Sequence, residues 1–242
     1  LFPLSGYAQN LVIMTNEWTP YVSSKLKNYG FTAEIISQAF AAAGIKPVIE
    51  FAPWSRCEAG VKNGKIFAAF PYSMNEDRAK FALFSKPVGN SKTLLFYNLK
   101  KNRTIKYSSI KDLKPFLLGG VRGYFYEPLF AKAGLSVDYS ENEKACLKKL
   151  FYKRIDIVPV NEFVGCKIIN DLFPDKYDLF ATCKTALSIN ELHLMVSKKY
   201  PDAARILQQF NKGLSIIINN GLYNRILAKN KIYDQTDCSF LK

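Results

Sequence analysis

Short apolar runs alternate with stretches of helical periodicity along almost the whole chain, and the first helical stretches stop at glycines. Leu11–Thr15 reads as a buried strand. Phe31–Ala43 places Phe31, Ile35, Ile36, Ala39 and Phe40 on one face of a helix that ends at Gly44. A strand follows near Pro47–Phe51, then a helix over Trp54–Asn63 stopped by Gly64, and a strand at Ile66–Phe70. The order then recurs. Ala43-Gly44-Ile45 and Lys65-Ile66-Phe67 have counterparts about ninety residues further on, in Ala133-Gly134-Leu135 and Arg154-Ile155-Asp156. Such alternation predicts an α/β protein with largely parallel strands, and the recurrence predicts two units of similar design.

The second unit is expected to start after a strand at Thr93–Asn98 and a polar loop at Lys100–Ser109, and to contain strands at Phe116–Val121 and Ile155–Val160. The last stretch carries a strand, Leu192–Ser197, and two helices, Pro201–Asn219 and Leu222–Lys229, with no third copy of the unit. It is expected to fold back on the first unit. That gives lobe 1 as residues 9–96 with 190–242, lobe 2 as 97–189, and crossings near Phe96–Leu99 and Ala186–Asn190. Two crossings make a hinge, and a cleft between hinged lobes is a common place for a small ligand.

With 48% hydrophobic residues, the 242-residue chain has enough apolar matter for a core, which excludes a mainly disordered polymer. No apolar run approaches the roughly 20 residues that span a bilayer. The formal charge is +14, from 34 Lys+Arg against 20 Asp+Glu. The excess is spread along the chain in isolated pairs such as Lys100–Lys101, Lys148–Lys149 and Lys198–Lys199. A solvated basic surface is the better reading than a nucleic-acid interface. Residues 1–8 read either as the end of a secretory signal, with Gly6 and Ala8 before the cleavage point, or as an ordinary frayed terminus; the first places the protein outside the cytoplasm.

Five cysteines without a CxxC, and a single histidine inside an apolar run, offer neither a zinc-ligand set nor Ser-His-Asp or Cys-His machinery. No metal and no cofactor is expected. His193 reads as a half-buried strand residue, and Cys166 with Cys183 is the first choice for a disulfide because the two are close in sequence.

The run Pro53-Trp54-Ser55-Arg56, the helix end Val61-Lys62-Asn63-Gly64-Lys65, the loop Phe70-Pro71-Tyr72-Ser73-Met74-Asn75-Glu76-Asp77-Arg78 and the Phe81–Pro87 segment together resemble the first lobe of the family 3 extracellular solute-binding proteins, the polar amino-acid group that serves ABC importers. The order of elements is similar from about residue 10 to 230. The resemblance implies a bilobal type II periplasmic-binding fold that closes on a small ligand without performing chemistry, a monomeric periplasmic receptor, and a membrane ABC permease as partner.

The resemblance also implies roles. Arg78 matches the arginine that pairs with the ligand carboxylate, a use that suits its fork-shaped guanidinium; a surface Arg paired with Glu76 or Asp77 is the alternative. Ser73 matches the neighbouring hydroxyl donor. Trp54 and Trp18 match walls that sandwich the ligand, the alternative for each being the core; Phe70 is also counted among the candidate ligand-binding residues. Glu17 and Asn16 follow the first strand, where a carboxylate would select cationic or hydrogen-bond-donating ligands; a solvated loop end is the alternative. Departures stand beside these matches: Phe70 and Pro71 where small hydroxyl or Gly residues are usual, Asn161 where an acid meets the ligand ammonium, and Gly120-Val121-Arg122-Gly123-Tyr124-Phe125-Tyr126 where a Ser/Thr-rich turn holds the carboxylate. That turn, opening a helix from about Glu127, is expected to offer backbone N–H groups and Arg122 to an anion, with Tyr124 or Tyr126 as a ring face. At least one of its three aromatics is expected to pack beneath the loop.

The reading is a receptor for a small polar solute bearing a carboxylate, an amino acid or related organic acid, captured by lobe closure and delivered to an ABC permease. Two alternatives remain: the ligand-sensing domain of a signalling system, and an enzyme resembling the cyclohexadienyl dehydratases built on this fold, for which Glu17 is the one carboxylate placed near the ligand.

Overall fold

A computed structural model describes residues 11–102 and 104–229. The chain opens with β1 (Val12–Thr15), α1 (Phe31–Ala42), β2 (Val48–Phe51), α2 (Trp54–Asn63), β3 (Ala68–Tyr72), α3 (Glu76–Phe81) and β4 (Ala82–Phe84). It continues through β5 (Gly89–Asn98), β6 (Leu118–Val121), α4 (Glu127–Ala133), β7 (Val137–Ser140), α5 (Glu143–Phe151), β8 (Ile157–Asn161), α6 (Glu162–Leu172) and β9 (Phe180–Thr182). It ends with β10 (Ser188–Ser197), α7 (Ala203–Asn219) and α8 (Leu222–Lys229). The described residues up to Asn90 and from Glu191 onward form one compact unit, and Ser91–Asn190 the other. The first crossing therefore comes earlier than the 96/97 boundary expected from the sequence, because β5 is one long strand through that point. The suggested signal remnant, residues 1–8, lies outside the described residues.

In the first unit β1 is paired in parallel with β2 on one side, Val12 opposite Val48 and Thr15 opposite Phe51, and with β3 on the other, Ile13 opposite Ala68. β10 joins β3 antiparallel. The second unit repeats the plan: β6 is parallel to β7 and to β8, and β5 is antiparallel to β8. The pairs β2 and β7, α2 and α5, and β3 and β8 are offset by about ninety residues, as the sequence recurrence predicts.

Local chemistry explains most boundaries. α1 begins and ends within a residue of the expected limits, and α2 matches them, with Gly64 at φ 75° closing it as a left-handed C-cap. β3 lies two positions later than expected because Pro71 does not break it. Its pairing with β1 stops at Ala69, and the ladder with β10 is irregular between His193 and Met195, so the missing N–H falls where regular pairing is interrupted. Asn75, Asn142 and Asn161 cap α3, α5 and α6 by accepting backbone N–H groups, each with a glutamate in the next position.

The first core packs α2 and the sheet through Ala52, Cys57, Val61, Ala69, Tyr72 and Met195. On α1 and α7, Phe40 meets Phe210 at 4.7 Å. The second core joins Leu95, Tyr97, Leu113, Leu118, Phe130 and Ile157. His193 is more deeply buried than expected; its Nδ1 lies 2.8 Å from the Ser85 carbonyl oxygen.

The Cys166–Cys183 pairing is overturned: Cys183 is a free, buried thiol, as are Cys57 and Cys146, while Cys166 is disulfide-bonded to none of these three. Sequence proximity is a poor guide here because Cys183 lies in the second core, packed with Ala181 and Tyr97. Burial pushes the Cys57 and Cys183 thiols up to about 11 and raises that of Cys146. Thiolate is therefore scarce as well as shielded. Peptide mapping after iodoacetamide treatment at pH 8 should find all three unlabelled in the native protein and labelled in denaturant; rapid native labelling of Cys183 would show that the second core is open.

Candidate functional site

In both units the chain leaves a central strand, forms its neighbour on one side, and then crosses to the other side: β1 to β2 to β3, and β6 to β7 to β8. Such a reversal opens a crevice at the carboxyl ends of the two strands that flank it, where α/β sheets take their ligands. The crevice strands are β1 and β3 in the first unit and β6 and β8 in the second. The sequence-derived residues fall at these ends: Glu17 and Trp18 after β1, Ser73 and Arg78 after β3, Arg122 and Tyr124 after β6, and Asn161 at the end of β8.

At the end of β3 the structure gathers Arg78, Ser73, Trp54 and two residues the sequence reading left out of the site, Tyr72 and Glu58. Asn75 caps α3 by accepting the Arg78 backbone N–H at 2.8 Å, which fixes where the side chain starts. The Nε and Nη2 of Arg78 both donate to Glu58 Oε2 at 3.1 Å, and Nη1 donates to the Ser73 carbonyl at 3.1 Å with Ser73 Oγ at 3.4 Å. The guanidinium lies 4.8 Å from the centre of the Tyr72 ring. The Tyr72 hydroxyl in turn donates to the Trp54 carbonyl at 2.8 Å, and the Trp54 indole meets the Tyr72 ring edge-on at 5.4 Å. Burial, followed by the neighbouring Cys57 and Glu58, raises the Tyr72 pKa and keeps the phenol protonated.

The alternative partners expected for Arg78 are not used: Asp77 binds Lys80 instead. Glu58 takes that place because α2 starts at the end of β2 and its second turn reaches the carboxyl end of the sheet. The available signal was the four-residue spacing from Trp54, which puts Glu58 on the same helical face.

Glu17 and Trp18 make a second cluster. Trp18 and Val22 exchange backbone hydrogen bonds at 2.8 and 3.0 Å, and the half-buried Trp18 ring stacks on Tyr21 at 4.1 Å. Glu17 Oε1 accepts from the Ser24 backbone N–H at 3.0 Å and the Ser24 hydroxyl at 2.5 Å. Slight burial opposes ionisation of Glu17, but the hydrogen bonds from Ser24 and Ser23 outweigh it and hold its pKa below the usual value. Trp54 is half-buried, one side packed against the first core, so it is core and surface at once. Phe70 needs correction: it has no exposed surface in the middle of β3 and cannot form a ligand wall in this structure.

At the end of β6 the expected anion cradle is filled by the chain itself. The Val121 N–H donates to the Tyr126 hydroxyl at 2.9 Å and the Gly123 N–H to Glu127 at 2.7 Å, so a carboxylate of the protein occupies the place foreseen for an anion. Tyr126 is the aromatic beneath the loop, buried and stacked on Phe130 at 5.1 Å, which corrects its placement as a ring face for ligand. Arg122 remains exposed, 5.1 Å above the Tyr139 ring. The Tyr124 hydroxyl donates to Glu143 at 2.5 Å. Burial, then the Glu143 charge, raises the Tyr124 pKa and keeps the phenol protonated.

Asn161 spends its Oδ1 on the Phe163 and Val164 N–H groups at the start of α6, and its Nδ2 donates to Ser91 Oγ at 3.1 Å. Its first task is structural. Among the described residues, no group of three or more His, Cys, Asp and Glu side chains could hold a metal ion, and no helix is long and apolar enough to cross a membrane.

Two α/β units of the same topology, each with polar residues at its reversal point, define the class of the type II periplasmic binding proteins. The model of the bacterial extracellular solute-binding proteins, family 3, matches residues 11–231, and the chain belongs to that family. No curated protein sequence matches it. Among solved structures it is similar to a histidine kinase sensor domain with similarity to periplasmic binding proteins, at 19% identity and a TM-score of 0.74 over 92% of this chain and 96% of the other. It is also similar to the GluR0 ligand-binding core from Nostoc punctiforme in complex with L-glutamate, at 17% identity and 0.72 over 91% and 99%. An ancestral arginine-binding protein bound to arginine follows at 22% identity and 0.71 over 92% and 98%.

Proposed function

We propose that this protein is an exported receptor, not an enzyme, that captures a small polar solute bearing a carboxylate, an amino acid or related organic acid, and delivers it to an ABC permease. The observation that carries this reading is the Arg78 guanidinium, held at the reversal point of the first unit by Glu58 and the Ser73 carbonyl, with one N–H of Nη2 not directed at either residue and one of Nη1 turned only to the Ser73 hydroxyl at 3.4 Å. Two N–H groups on one planar fork match the two oxygens of a carboxylate. The likeness to proteins bound to glutamate and to arginine agrees with a carboxylate ligand and leaves its side chain open. Arg122 and Tyr124 supply the polar groups of the second unit in this proposal, and Glu17 and Trp18 complete the first.

A second reading, a sensor domain of the same fold, is favoured by the likeness to a histidine kinase sensor domain. Both readings need the same ligand-driven response, since a downstream partner can prefer the liganded form only if the ligand stabilises it.

The test is a thermal-shift screen of amino acids, dicarboxylates, aromatic acids, short peptides and neutral sugars. A ligand at about a hundred times its dissociation constant adds roughly 2.7 kcal/mol, a rise of several degrees for a chain of this length. Hits confined to sugars, or none at all, would sink the carboxylate reading.

A further inference from the structure

Glu58 is the charged partner of Arg78. Its Oε2 takes two donors from one side of the guanidinium, Nε and Nη2, each at 3.1 Å, while the Ser73 carbonyl takes Nη1 at 3.1 Å. Four hydrogen bonds to two residues, the fourth from Nη1 to the Ser73 hydroxyl at 3.4 Å, with the Tyr72 ring beneath, leave the guanidinium little rotational freedom. Its side chain is 23% exposed and that of Glu58 is 37% exposed, so the pair is partly withdrawn from water yet reachable. An arginine fixed this way loses less entropy on meeting a ligand than one free to rotate.

We infer that Glu58 is the positioning residue of the Arg78 site, holding the guanidinium so that the open N–H of Nη2 and the Nη1 N–H now turned to the Ser73 hydroxyl meet a ligand carboxylate, and that its charge makes the site favour singly over doubly negative ligands; this rests on the carboxylate reading above. The charge argument is direct. Glu58 offsets the Arg78 charge, and the Glu17 carboxylate at the end of β1 is likewise faced by Lys25, so the first unit's part of the site carries little net positive charge. A carboxylate bound there is recognised by hydrogen-bond geometry more than by net attraction. A second carboxylate on the ligand meets repulsion, and an ammonium or neutral amide does not. The chain's overall +14 therefore says little about this site.

The experiment has two arms. In the first, ¹⁵N-labelled protein without ligand is used to observe the Arg78 Nε–H resonance, identified by its loss in Arg78→Lys. It should be resolved and slow to exchange in the wild type, and should merge with the mobile arginines in Glu58→Gln, while Glu58→Asp, which restores a carboxylate, recovers part of the protection. In the second, calorimetry compares L-glutamate with L-glutamine, which differ by one negative charge at nearly constant shape. Glu58→Gln should raise the preference for glutamate about tenfold, and thermal melts establish that each variant is folded. If neither amino acid binds the wild type, the comparison uses a monoacid and diacid pair drawn from the screen. An Nε–H that Glu58→Gln leaves unmoved, or an unchanged charge preference, overturns the inference. A screen without carboxylate hits, together with an Nε–H lost in Glu58→Gln, would instead sink the carboxylate reading while the positioning of Arg78 by Glu58 stands.

Discussion

Arg78→Ala is expected to weaken binding of any carboxylate hit at least a hundredfold. On the proposed reading the substitution removes the charge-assisted hydrogen bonds to the ligand carboxylate, each stronger than a neutral one, at a partly dehydrated position. It also leaves the Glu58 carboxylate without its partner, so its negative charge is no longer offset beside the position proposed for the ligand carboxylate. Arg78→Lys should fall between: the charge stays, but a single ammonium cannot reproduce the fork that serves Glu58, Ser73 and a ligand together. Calorimetry on both variants reads the effect. Because the pair is partly exposed, the folded state should lose little, and the melting midpoint without ligand should change by no more than a few degrees. Wild-type affinity in Arg78→Ala would show that the ligand is held elsewhere.

The largest loss of stability is expected from a residue far from the ligand. Gly213→Ala on α7 would set its methyl carbon 1.9 Å from the carbonyl oxygen of Ala39 and 3.0 Å from that residue's carbonyl carbon, on the facing helix α1. Both are backbone atoms, so no side-chain rotation relieves the clash and the two helices must part. Phe40 and Phe210, in contact at 4.7 Å on the same pair of helices, would be pulled from each other as they do so. A cost of roughly 3 kcal/mol, or about 10 °C in melting midpoint, is expected. Gly134→Ala is the comparison: its added methyl meets open space, so its cost is only the roughly 1 kcal/mol of the left-handed backbone at φ 67°. Equal melting midpoints for the two variants would show that α1 and α7 can separate freely.

Much of this protein is written locally. Helix α2 starts at Trp54 and stops at Gly64 because a 3.6-residue periodicity and a left-handed cap are properties of adjacent residues. The recurrence at about ninety residues showed the two units for the same reason, since each copy repeats its own short-range pattern. Helix α6 escaped the sequence reading, although Asn161-Glu162 carries the same start signal as Asn75-Glu76 and Asn142-Glu143. That signal also explains why Asn161, a candidate ligand group by position, is occupied in capping its own helix.

The partners of the site were decided by tertiary structure. Arg78 had two acids within two residues and pairs with neither, because the sheet brings Glu58 from α2 to the end of β3. The turn after β6 looked like an anion cradle from its glycines and arginine, yet Tyr126 and Glu127 fold back onto its N–H groups. Phe70 looked like a ligand-binding residue and is core, since which face of a strand is covered depends on what packs against the sheet. By itself the sequence determined most of the elements, their order and their duplication, all of which follow from residues near one another in the chain. Which charges meet, and which donors stay open to a ligand, depend on contacts between residues distant in sequence, and those exist only once the sheet has formed.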